Sequence, residues 1–232
     1  MNSTPTPNPK ADQTLSRNMT LLAHHEMNGF GGLGEGINLQ ITKTGRRILW
    51  VAHESAPKNF SGLDVTDPKN PRLIVQTDLP HMQLRSNSLD VYGDILAVAY
   101  QTKVVGLKPA GVDLFDISNP EEPKLLSHFD CSGPHSRGVH ALWFVDGKYI
   151  HMSSGAADFE PTNPLDDQFY RILDVSDPTK PFEAGRWWYP GTRLGDSTPP
   201  PARMTQKFDT GFRVHNTNVY PSHPDRAYIG YI

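Results

Sequence analysis

Three octapeptides, DVTDPKNP at 64–71, DISNPEEP at 116–123 and DVSDPTKP at 174–181, share one pattern. Each reads Asp, an aliphatic residue, Ser or Thr, Asp or Asn, Pro, two variable residues and a second Pro. A chain that rewrites a unit at such spacing stacks copies of one supersecondary element, and this limits its fold more than any bulk property does. Asp and Ser/Thr side chains at a strand end bond nearby backbone N–H groups and start a tight turn. The first Pro fixes φ inside that turn, and the second stands where a strand begins and no ladder donor is needed. The motif is therefore predicted to be a bend between strands: scaffold, not active site.

Upstream of each copy lie two short β-rich runs around a glycine-containing turn: NLQITKTGRRILWVA (38–52), SLDVYGDILAVA (88–99) and LWFVDGKYIHMS (142–153). Each is a hairpin signal. A loop follows, then an alternating strand (SGLDV, VDLFDI or YRILDV) that runs into the motif, and after the second Pro another strand (RLIVQTD, KLLSHFD or FEAGRWW). Four short antiparallel strands per unit occupy the roughly 40–50 residues of a propeller blade. The predicted fold is all-β, a β-propeller of four-stranded antiparallel blades with helix close to absent. Strands are expected near 38–41, 47–52, 88–92, 95–100, 141–145 and 148–153.

The two ends of the repeat carry their own signals. LLAHHEMNGFGGLGEG (21–36) overlays LLSHFDCSGPHSRGVH (125–140), which predicts an outer fourth strand and then the crossing into the first blade. RVHNTNVYPSHPDRAYIGYI (213–232) aligns with GVHALWFVDGKYIHM and reads as a first hairpin that stops before its third strand. About three and a half blades are then expected over 20–232, an incomplete ring with an exposed hairpin near 214–232, and the gene is expected to continue past Ile232. Residues 1–19, rich in Pro, Thr and Asn, read as a disordered tail.

These strand–DVSDPxxP–strand units resemble the LVIVD-repeat proteins, a bacterial family predicted to form β-propellers. The likeness spans roughly residues 20–232 and rests on the three motif copies. It implies architecture and says little of activity, because propellers host unrelated functions.

Bulk properties exclude some partners. Lys+Arg number 22 and Asp+Glu 25, for a formal charge of −3 with both signs interspersed, so no field is available to hold nucleic acid or an anionic membrane. Gly 19 and Pro 21 favour turns over long helices. A single Cys131 and the lack of an apolar leader point to a reducing, cytoplasmic setting. GFGGLGEG (29–36) has glycine spacings reminiscent of a nucleotide loop, yet no helical pattern follows, and the overlay makes it a crossing between blades.

In a propeller the innermost strand of each blade starts at one face of the central channel, where loops vary without disturbing the sheets. Here those strands begin near Gly36, Ser86, His140 and His215, with Arg85, Arg137 and Arg213 just ahead. Enlarged loops on the same face add His53 and Glu54, then Asp158, Glu160, Asp166 and Asp167, then the proline-stiffened crossing 190–211. Three chemistries follow. His140 and His215 would ligate a divalent metal, the expected cofactor, with a position open for water. Arg85, Arg137 and Arg213, with His53, would bind a small anionic ligand such as a carboxylate or phosphate. A His–carboxylate pair such as His53 and Glu54 would serve as general base. The structural reading of these residues is that they bond backbone carbonyls and hold blades together.

Other side chains read as structural. His24 and His128 are expected at equivalent outer-strand positions, His151 buried and satisfied, His223 solvated in a turn. Trp143, Trp187 and Trp188 read as sheet-packing aromatics and Cys131 as inert, while His81 and His135 stay open. Two functions remain: a ligand-binding propeller acting as a metal-assisted hydrolase or lyase, and a non-catalytic scaffold for a protein partner.

Overall fold

The computed structural model describes residues 18–200, 202–203 and 211–231. The tail expected over 1–19 falls almost wholly outside them, as does part of the crossing 190–211. Among the described residues helix is confined to two three-residue 3-10 turns, Met27–Gly29 and Pro164–Asp166.

Strands β1 (Leu33–Ile41), β2 (Arg47–His53), β3 (Lys58–Asp64) and β4 (Arg72–Asp78) form the first sheet, antiparallel and in chain order. The second sheet contains β5 (Leu84–Arg85), β6 (Leu89–Tyr92), β7 (Ile95–Thr102), β8 (Gly111–Asp116) and β9 (Lys124–Asp130). Both β5 and β6 pair with β7, so its first strand is one line broken at residues 86–88. A small ribbon of β10 (Ser132–Gly133) and β11 (Ser136–Arg137) leads to the third sheet. That sheet is β12 (Val139–Phe144), β13 (Tyr149–Ser154), β14 (Phe169–Asp174) and β15 (Phe182–Trp187), again in chain order. Strands β16 (Val214–Tyr220) and β17 (His223–Tyr231) make the expected last hairpin. The result is an all-β fold of several antiparallel sheets, and among the described residues no sheet closes into a ring.

The motif behaves as its chemistry dictates. Each copy begins on the last residue of a strand, Asp64, Asp116 or Asp174, and the next strand starts directly after its second proline. The carboxylates accept from the N–H groups of Thr66 (2.9 Å), Ser118 (2.8 Å) and Ser176 (2.9 Å). These bonds form the turn from within the chain and need no tertiary partner.

Strands β2, β7 and β13 are buried along nearly their whole length because both of their faces are covered, in β2 by the second sheet on one side and by Met27 on the other, which is why ILWVA and ILAVAY are continuous apolar runs. Ile48, Trp50 and Phe60 of the first sheet pack on Leu84, Leu89, Leu96 and Val98 of the second. Ala97, Val112 and Leu114 pack in turn on Leu142, Phe144, Ile150 and Met152 of the third. The Trp50 indole donates to Gln40 Oε1 (3.1 Å), and Gln40 Nε2 donates to the carbonyl of Ile117 (3.1 Å), so this buried polar pair also joins two sheets.

One expected strand does not form. Residues 19–26 make no strand, and His24 is exposed, whereas His128 lies on β9 and pairs with Asp113 (2.6 Å). The overlay matched side chains, but a strand also needs a neighbour for its ladder, and no described strand offers one to 19–26.

Strands β1, β6, β12 and β16 are the first of their sheets, and all four line one cavity of about 690 Å³. Glu35 and Asn216 stand among its lining residues, with Leu39, Val91, Tyr92, Trp143 and Phe144 along its walls.

Candidate metal centre

Three of these first strands carry a register shift at the same place. The irregularity in β1 falls between Leu33 and Ile37, in β12 between Val139 and Ala141, and in β16 between Val214 and Thr217. Glu35, His140 and His215 lie inside those irregularities. An extra residue in one strand breaks the two-residue alternation and re-aims a side chain, and such bulges concentrate beside functional sites. Here they bring the three side chains together, with one ligand atom from each lying within 4.8 Å of the others. His215 Nε2 is 3.9 Å from Glu35 Oε1, and the rings of His140 and His215 meet at 4.5 Å between centroids. Two imidazoles and one carboxylate form a donor set able to coordinate a divalent transition metal.

Glycines on either side of Glu35 make the approach achievable. A Cβ at Gly34 would stand 2.5 Å from the carbonyl oxygen of Asn87, and one at Gly36 only 2.1 Å from the backbone nitrogen of Leu89. The GEG stretch thus lets β1 lie against the break in the second sheet, and Gly36 N–H donates to the Asn87 carbonyl there (3.0 Å).

Hydrogen bonds tie both rings through Nδ1. Arg85 donates through Nε (2.9 Å) and Nη2 (2.6 Å) to Gln101 Oε1, which identifies that atom as the amide oxygen. His140 Nδ1 lies 3.1 Å from the same oxygen and 3.4 Å from Arg85 Nη2, and in its Nδ1–H tautomer it donates to that oxygen. The lone pair then resides on Nε2, which is buried and has no hydrogen-bond partner. His215 Nδ1 is likewise bonded to the side-chain oxygen of Asn216, leaving Nε2 toward Glu35. Metal-binding histidines are held in this way, the distal N–H donating to an oxygen behind the ring. His140 is 9% exposed. Burial first, then His215 and the cations Arg85, Arg213 and Arg137, pushes its pKa down to about 3, so the ring is neutral and its nitrogen available.

The three arginines do surround the centre, though each already has a carboxylate. Arg85 pairs with Glu54; Arg137 Nε (2.7 Å) and Arg213 Nε (2.9 Å) share the two oxygens of the buried Asp167. Counted together, three cations face Glu54, Asp167 and Glu35, so a divalent ion added to the centre would leave the site positive.

His53 is not brought to the cluster. It is 2% exposed within β2, where Nε2 meets Ser61 Oγ (2.8 Å), while Glu54 turns outward to Arg85. The His53–Glu54 base is therefore not assembled. Asp158 pairs with Arg186 (2.9 Å), Glu160 lies 3.8 Å from His135, and Asp166 accepts from Phe212 N–H (2.7 Å). His81 bonds the Lys108 carbonyl (2.8 Å), and His151 is buried against the Tyr170 hydroxyl (2.7 Å), as expected. Cys131 is buried, and burial raises its pKa, which suits an inert thiol. Glu35 is the residue that sequence reasoning missed, although it stands one position before Gly36, where an innermost strand was expected to begin.

No protein-family model matches the chain, and no curated protein matches it in sequence. No helix among the described residues is long and apolar enough to cross a membrane.

Proposed function

We propose that this chain is part of a β-propeller of the LVIVD-repeat kind, whose first strands hold a divalent metal ion through Glu35, His140 and His215, and that the centre serves a metal-assisted hydrolysis or lyase reaction on a small anionic ligand. The observation that carries the reading is the buried, unpartnered Nε2 of His140, facing a second imidazole and a carboxylate. The propeller assignment draws support from consecutive sheets whose first strands line one cavity. Bound there, a divalent ion would polarise a substrate oxygen and acidify a coordinated water. The chain's own residues do the rest. Gln101 and Asn216 hold the imidazoles in the ligand tautomer, and Arg85, Arg137 and Arg213 balance Glu54, Asp167 and Glu35, so that the charge of a bound ion would be left to draw in an anion. The cavity below, apolar at Leu39, Val91 and Phe144, gives room for the body of such a ligand.

The test is elemental analysis of purified protein by mass spectrometry, followed by titration of the chelated protein with Zn(II). One ion per chain, lost in His140→Ala and His215→Ala, is the expected result. Protein that is clean of metal and takes up none overturns this reading and returns the chain to the interaction-scaffold alternative.

A further inference from the structure

Three first strands supply a ligand from a register irregularity; the fourth, in the second sheet, is broken outright at Ser86, Asn87 and Ser88. This break is threaded between two of the ligand-bearing strands. The Asn87 carbonyl accepts from Gly36 N–H (3.0 Å), one residue past Glu35, and Ser88 Oγ accepts from Leu142 N–H (3.1 Å), two residues past His140. Arg85, two residues before Asn87, holds the Gln101 oxygen on which His140 is oriented.

Within the break the Asn87 side chain is anomalous. The residue is 1% exposed, yet neither Oδ1 nor Nδ2 has a hydrogen-bond partner. A buried primary amide with both ends unpaired is destabilising, and native folds leave very few. Ser86 and Ser88 beside it are both satisfied, through the Asn59 carbonyl and Leu142 N–H. His140 Nε2 is a further buried atom in the same state and on the neighbouring strand. One bound group that met both would account for three of the seven buried side-chain atoms left without a partner among the described residues, both ends of the Gln168 amide being two of the others.

We propose, on the footing of the metal reading above, that Asn87 is the fourth protein group of the centre. Its Oδ1 donates a lone pair to the ion beside His140, His215 and Glu35, and its Nδ2–H donates to an oxygen on that ion. A neutral oxygen donor completes the set without adding charge, so the loaded site keeps the excess positive charge that attracts an anion. Each of the four sheets then contributes one group from the same irregular point of its first strand.

The test uses the full chain, stripped of metal and titrated with Co(II), with affinity and the visible ligand-field spectrum as readouts. Asn87→Ala is expected to weaken Co(II) binding by about tenfold or more and to alter the spectrum. Asn87→Asp, which keeps an oxygen in place, is expected to restore binding. The metal-free Asn87→Ala protein should melt no lower than wild type, since no hydrogen bond is lost. Wild-type affinity and spectrum in Asn87→Ala would overturn the assignment while leaving the three-residue centre standing. A metal-free variant that melts well below wild type, without rescue of Co(II) binding by Asp, would make Asn87 structural and also overturn it. Wild-type protein that binds no Co(II) removes the centre and this inference together.

Discussion

The imidazole of His140 meets that of His215 edge to face, with centroids 4.5 Å apart and planes inclined at 63°. Two protonated rings would repel at that distance, and the three nearby arginines add to the penalty. Both rings are instead tied through Nδ1 to amide oxygens, and the buried Nε2 of His140 is left without a hydrogen-bond partner.

Metal should therefore stabilise this protein through that pair together with Glu35. At a free ion concentration a hundred times Kd, linkage adds about 2.7 kcal/mol. For a domain of this size that corresponds to a rise in Tm of roughly 5–10 °C. Scanning fluorimetry with and without Zn(II) should show the rise in wild type, a smaller one in Glu35→Gln and none in His140→Ala or His215→Ala. An equal rise in all four proteins would place the ion elsewhere.

The motif aspartates predict a pH dependence with a definite sign. Asp64, Asp116 and Asp174 are all held below the ordinary carboxylate range, Asp64 chiefly by the Thr66 hydroxyl and the others by the N–H groups of Ser118 and Ser176. A carboxyl that binds its proton more weakly in the folded chain stabilises it fully above its unfolded pKa of about 3.9. That contribution is lost as pH falls from there through the depressed folded value. Asp64→Asn should thus lower the urea midpoint at pH 7, and its deficit relative to wild type should shrink by pH 3. A deficit of the same size at both values would mean that the charge of Asp64 is immaterial.

How much could be read from the chain follows from the range of each interaction. The bends at 64–71, 116–123 and 174–181 were legible because each carboxylate finds its donor two residues away. His140 and His215 were legible as partners because the repeat gives them the same place in their units. Glu35 was not, since its direction depends on a register irregularity in a glycine-rich stretch where two-residue alternation fails. Nor was the neutralisation of Arg137 and Arg213, because Asp167 comes from a loop that only tertiary packing brings near. The overlay of 21–26 on 125–130 misled for a related reason: side-chain likeness carries no information about a missing ladder partner.

Asp167 offers a separable test of the charge around the centre. It is 3% exposed and holds two guanidinium groups at once. Asp167→Asn keeps the shape and removes the charge, so two partly buried cations lose their counter-ion. Charged hydrogen bonds are worth about 1.5–3 kcal/mol each, and the partial exposure of both arginines brings the expected loss to about 1–3 kcal/mol in all. Urea denaturation should register it. The same variant should bind inorganic phosphate more tightly when loaded with Zn(II), and weaker binding would contradict the anion-attracting role given to Arg137 and Arg213.

Gly36 tests whether fold and site are one construction. A Cβ at this position would stand 2.1 Å from the backbone nitrogen of Leu89, and backbone is not free to step aside as a flexible side chain is. Gly36→Ala must therefore push β1 away from the break in the second sheet, breaking the Gly36–Asn87 hydrogen bond and carrying Glu35 with it. Overpacking of an ordinary core position costs about 1–3 kcal/mol, and this clash with main chain should lie at or above the upper end. Gly45 is the control: its φ is +82° but nothing lies within 4 Å of its Cβ, so Gly45→Ala should cost only about 1–2 kcal/mol from backbone strain. Gly36→Ala should lose the Zn(II)-induced rise in Tm while Gly45→Ala keeps it. If both variants kept the full rise, Glu35 would owe its position to something other than the close approach of β1.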